Sequence, residues 1–101
     1  MIYNTFFERN LIMKYNVYLW CGSGYQTDVI TVEADCEDQA VERAVIEAEM
    51  NRPYLFFDDC ENLEQMEERG EILYIDATME GAQHPHYIDA TNLRIEEVKE
   101  K

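Results

Sequence analysis

The two imidazoles of this chain stand one residue apart, in His84-Pro85-His86, and imidazole beside carboxylate suits transition-metal ions. A metal there would need Asp76, Asp89 or Cys60 brought alongside. Two residues one apart on an extended loop meet at a common point only when the backbone happens to turn them together. The expectation is therefore a surface turn and no metal. Asp58-Asp59-Cys60-Glu61 gathers oxygen ligands, but it lacks the central glycine and terminal bidentate glutamate of a calcium loop. It reads as the solvated start of a helix. Gly22-Ser23-Gly24 offers backbone amides to an anion, yet it precedes no helix, and an acidic domain is a poor phosphate host. Cys21, Cys36 and Cys60 form no C-x-x-C pair and read as buried or half-buried thiols in a reducing compartment. With no G-x-S-x-G, Walker loop or H-E-x-x-H, neither enzyme activity nor a cofactor is expected.

What the chain has in abundance is negative charge. Its formal net charge is -14, and all of it falls in two windows. Residues 33–49 hold seven carboxylates against Arg43 alone, and residues 58–80 hold nine against Arg69 alone. Charge of this density repels nucleic acid and steers basic surfaces toward itself. The expected partner is thus a basic, nucleic-acid-binding protein and not nucleic acid. The candidate contact residues are Asp58, Asp59, Glu61, Glu64, Glu67, Glu68 and Glu71 from the second window, with Glu37 and Glu42 from the first. Glu61, Glu64, Glu67, Glu68 and Glu71 recur every three or four residues, so they predict an acidic ridge along one helix face. Like charges at that spacing cost helix stability.

The elements that must carry these residues are legible. The 101 residues make one domain, with seven Tyr, four Phe and one Trp for its core. Residues 1–12 are too short to span a bilayer and lack a secretory pattern. They are either a docked extension or an upstream translational start, with Met13 directly before the first strand. A cytoplasmic protein of a bacterial host is the expectation. Tyr15 to Cys21 alternates with period two and predicts a strand; Gly22-Ser23-Gly24 breaks it, and Val29 to Ala34 resumes, giving a hairpin. Tyr18 and Trp20 share one face of the first run and are aromatic hot-spot types if exposed. Asp35 is an expected N-cap, with Asp38 three residues on. Ala40, Val41, Ala44, Val45 and Ala48 make an apolar helical stripe, with Glu37, Glu42, Glu47 and Glu49 mainly on the outer faces. Asn51-Arg52-Pro53 ends that helix.

Tyr54 to Phe57 predicts a short strand or a plug under the core. Asp58-Asp59 is placed to cap a weakly apolar helix over residues 60–69, with Leu63 and Met66 inward and Gly70 closing it. Ile72 to Ala77 predicts a strand with Leu73, Ile75 and Ala77 on one face, and further strands follow near Tyr87 to Ala90 and Leu93 to Val98. The pentapeptide YIDAT, at 74–78 and again at 87–91, predicts two adjacent strands with Asp76 and Asp89 on one side. The fold class expected is α+β: an antiparallel sheet with one main helix and a second short helix packed on one face.

A small acidic α+β chain with these charge windows is similar in kind to anti-CRISPR proteins of phages and mobile elements, several of which mimic nucleic acid. The run YNVYLWCGSGYQTDVITVEAD (15–35), followed by a short acidic helix, also resembles small proteins of phages and conjugative elements of Gram-positive bacteria. The resemblance implies an inhibitor that blocks the DNA- or guide-binding groove of a CRISPR effector nuclease, and it carries no binding residues over to this sequence. Two other readings stand beside it. One is an antitoxin or immunity protein of the barstar kind, which covers a basic nuclease site. The other is a structural or regulatory domain whose acidity serves solubility.

Overall fold

A computed structural model describes residues 13–19 and 28–99, and everything below concerns these. The segment 1–12, Trp20, Cys21 and the Gly22-Ser23-Gly24 turn lie outside them. Strand β1 (Met13–Leu19) and strand β2 (Asp28–Ala34) pair antiparallel, with Met13 opposite Ala34 and Val17 opposite Ile30. Helix α1 (Glu37–Asn51) follows, then a 3-10 turn at Pro53–Leu55 and helix α2 (Leu63–Glu68). Strand β3 (Ile72–Ile75), a 3-10 turn at Thr78–Glu80, strand β4 (His86–Asp89) and strand β5 (Arg94–Val98) complete the order. The architecture is the α+β one that the sequence predicts. Its strands divide between two antiparallel sheets, β2-β1-β5 and the hairpin β3-β4.

Alternation puts Tyr15, Val17 and Leu19 of β1 on the face that meets Ile30 and Ala34 of β2. Across them lies α1, with Ala40, Val41, Ala44, Val45 and Ala48 all buried. Alanine at three of those five positions lets the helix axis approach the sheet closely, and Val41 and Val45 fill the space between. The helix N-cap is Cys36, with no side-chain cap bond. Gln39 accepts instead from the Asp35 amide at 2.8 Å, so Asp35 stands one residue before the cap it was expected to be. Arg52 closes the other end, its amide reaching Ala48 O, and the Pro53–Leu55 turn drops Leu55 into the core as a plug.

The hairpin β3-β4 completes that core through Ile88, with Ile75 packed alongside. Cross-strand pairs are Ile72 with Asp89, Leu73 with Ile88, Tyr74 with Tyr87, and Ile75 with His86. Opposed residues share a face, so Leu73, Ile75, His86 and Ile88 look one way and Ile72, Tyr74, Tyr87 and Asp89 the other. Ile72 is also buried, because Met66 of α2 and Phe57 cover its side. The alternation rule found the Ile75 face but not this second, smaller one.

The capping expected for α2 is only half met. Its N-cap is Asn62, not Asp58 or Asp59. Its C-terminus is closed as predicted by Gly70 at φ +75°, with Gly70 N bonding Glu67 O at 3.0 Å and Glu71 N bonding Met66 O at 2.9 Å. That pair of bonds needs a left-handed residue between them, which glycine adopts at least cost.

The YIDAT repeat marks strand ends. Asp76 Oδ1 accepts from the Thr78 amide and hydroxyl at 3.1 and 2.6 Å, and Asp89 Oδ1 accepts from the Thr91 amide and hydroxyl at 2.8 and 2.6 Å. Each aspartate folds back on its own chain and stops its strand. The strands are neighbours, as expected. Because they run antiparallel, the two aspartates lie at opposite ends of the hairpin.

Candidate functional site

The expected contact residues separate into three groups. Asp59, Glu61, Glu64, Glu67 and Glu68 are exposed on and beside α2. The helix is shorter than the predicted 60–69, so Glu61 precedes it and Glu71 lies past its end. Arg69 donates to both oxygens of Glu71 at 2.8 and 3.3 Å. This hydrogen bond, with the opposed charges behind it, raises the Arg69 pKa and lowers that of Glu71. Since Arg69 is the sole base of the window and is held by Glu71, the remaining ridge keeps its charge.

Glu37 is exposed at the start of α1 and Glu42 is half-buried one turn on. Glu42, Asp38 and Asp76 meet at a cleft of about 320 Å³, lined with Val41, Leu73, Ile75 and Ile95 among others. Acids of both charge windows thus share one apolar cleft, a juxtaposition that charge counting along the chain does not reveal.

Asp58 belongs elsewhere. Its Oδ2 lies 2.6 Å from His86 Nδ1, and its Oδ1 accepts from the Tyr87 amide at 3.0 Å. The second ring nitrogen of His86, Nε2, lies 2.7 Å from Glu49 Oε2. Each ring nitrogen of His86 thus faces a carboxylate oxygen. Its ring stacks on Phe56 with centroids 3.8 Å apart and planes at 15°, and the His84 ring sits 4.3 Å away. Side-chain exposure falls from 30% at Asp58 to 13% at Glu49 and 4% at His86.

Glu49 is further fixed by the Gln83 amide, 3.0 Å from each carboxylate oxygen. Burial pushes its carboxyl up, but the hydrogen bonds from His86 and from the Gln83 and His84 amides outweigh that and hold it below the usual range. One ligand atom each from Glu49, His84 and His86 lies within 4.8 Å of the other two.

Neither Glu49 nor Asp58 was among the partners considered for the histidines, which were Asp76, Asp89 or Cys60; the expected surface turn instead holds a buried His86. The signal for Glu49 was present, since it stands four residues after Val45 and eight after Val41 and so continues the buried stripe. The signal for His86 was period two from Ile88. Asp58 had none, because its approach depends on the turn after Pro53. Cys36 and Cys60, expected as buried or half-buried, are both exposed free thiols. Tyr18 is half-buried, with its hydroxyl donating to Glu96 at 3.1 Å and the Arg94 guanidinium 4.2 Å above its ring. No family model matches this chain, and neither the curated proteins nor the solved structures contain a match to it.

Proposed function

We propose that this is a non-enzymatic acidic binding protein that covers the basic nucleic-acid-binding surface of another protein, and that its target is a CRISPR effector nuclease. The observation that carries the reading is the uncompensated ridge Glu61, Glu64, Glu67 and Glu68, exposed while Arg69 is held by Glu71. Such a ridge presents carboxylates to lysine and arginine side chains that otherwise hold phosphates. The cleft where Asp38, Glu42 and Asp76 meet apolar side chains supports it further. An arginine or lysine laid there rests its stem on apolar surface and its charge among carboxylates. The target class rests on the resemblance in charge, size and strand pattern.

The experiment is target cleavage by a panel of purified effector nucleases with wild-type protein and with the variant Glu64→Lys, Glu67→Lys, Glu68→Lys, beside circular dichroism of both. These three side chains are exposed, so the variant should keep the fold and lose inhibition. Full inhibition by the folded variant would remove the ridge from the account. The antitoxin reading shares the same physics and is distinguished by inhibition of a basic toxin nuclease instead.

A further inference from the structure

The acidic-surface reading makes no use of Glu49, Asp58, His84 and His86. From their geometry we propose a binding site for one divalent transition-metal ion of the zinc type, ligated by the Glu49 carboxylate and the Nε2 atoms of His84 and His86. One donor atom from each of the three residues already lies within 4.8 Å of the other two. The Nδ1 atoms are occupied: that of His84 lies 3.0 Å from Pro85 O, and that of His86 lies 2.6 Å from Asp58 Oδ2. Carbonyl and carboxylate oxygens only accept, so both Nδ1 atoms carry hydrogens and Nε2 is left as the ligating atom of each ring. A histidine that ligates metal through one nitrogen while donating from the other to a carboxylate or backbone carbonyl is the usual arrangement at metal centres.

The surroundings fit as well. The Gln83 amide holds the Glu49 carboxylate in place. Phe56 and burial wall in His86 on one side, while exposed His84 leaves the other open for an ion to enter. A nitrogen-rich set favours zinc, nickel or cobalt over magnesium and calcium, which take oxygen ligands. Without an ion, His86 Nε2 lies 2.7 Å from Glu49 Oε2. Donors around a tetrahedral metal with bonds of about 2.0–2.2 Å stand roughly 3.3–3.6 Å apart. An ion therefore enters between the two, and the carboxylate withdraws slightly to make room for it. Binding would tie the C-terminal end of α1 to the start of β4.

The test is calorimetric titration of the chelator-stripped full chain with zinc chloride, with cobalt absorption as a direct report of ligation. We expect one ion per chain and a Kd of about 1 µM or tighter. His84→Ala should weaken binding at least tenfold with an unchanged circular dichroism spectrum, since His84 is exposed. Asp58→Asn should weaken it by roughly 10–100-fold through the lost support of His86. No saturable binding at about 100-fold above that Kd would overturn the proposal. So would binding that His84→Ala leaves intact, or binding that equimolar magnesium abolishes. The acidic-surface reading survives any of these outcomes, because no member of its ridge is a ligand.

Discussion

Asp89 shows how much a single carboxylate does in this chain. It is buried, and it accepts from the Thr91 amide and hydroxyl and from the Asn92 amide and side chain at 2.6–3.1 Å. Burial pushes its pKa up, but those four donors outweigh burial and lower it. Between the depressed folded value and the unfolded value of about 3.9, the unfolded chain binds the extra proton, so stability rises with pH there. The contribution of Asp89 is complete above the unfolded value and is lost as pH falls through the folded one. Asp89→Asn should therefore cost about 1–2 kcal/mol at neutral pH, and the cost should shrink as pH falls through the folded value. Urea unfolding of both proteins across that range measures the difference. The His86 cluster makes a second prediction at this scale. His86→Ala leaves two carboxylates facing each other at a partly buried point and removes the stack on Phe56. It should cost about 3 kcal/mol, whereas His84→Ala on the exposed side should cost little.

At the scale of elements, the stripe on α1 carries the fold. Val45 is fully buried between Ala neighbours, and Val45→Ala should cost roughly 1–3 kcal/mol with no change of secondary structure. Gly70→Ala should cost about 1 kcal/mol from α2, because an L side chain is strained at φ +75°. Thermal melts separate the two effects. Both α1 and the hairpin β1-β2 were legible in the sequence, since period 3.6 and period two are written directly in Ala40–Ala48 and Tyr15–Leu19. The hairpin β3-β4 was legible as strands but not as a separate sheet. Ile72 and Leu73 are adjacent and both apolar, so alternation alone cannot say which is inside; Ile72 is buried and Leu73 exposed. The YIDAT repeat was legible as two adjacent strands, and antiparallel pairing sends its two aspartates to opposite ends of the hairpin. The ridge was visible as spacing, although α2 is only long enough to carry Glu64, Glu67 and Glu68. The His86 cluster was half visible. Its histidines were noticed, but Asp58 reaches them through a turn that no local pattern announces.

At the scale of the whole molecule, a net charge of -14 sets how it meets a partner. If the exposed carboxylates form the contact, affinity should fall steeply as salt rises from roughly 0.05 to 0.5 M, because exposed charges are screened over about 8 Å at physiological ionic strength. Weak dependence on salt would move the contact to apolar surface such as Leu73 and Tyr74, which are 41% and 48% exposed. Among the described residues no helix is long and apolar enough to cross a membrane, and partner binding does not require one. The most direct measurement of the central claim is competition at an effector nuclease that the protein inhibits. Labelled protein is bound to the nuclease, and target DNA or guide RNA is titrated in at constant salt. If the acidic face occupies the nucleic-acid groove, the nucleic acid releases the label one for one, and Glu64→Lys, Glu67→Lys, Glu68→Lys protein never binds. A stable ternary complex, with the label retained at saturating nucleic acid, would contradict it.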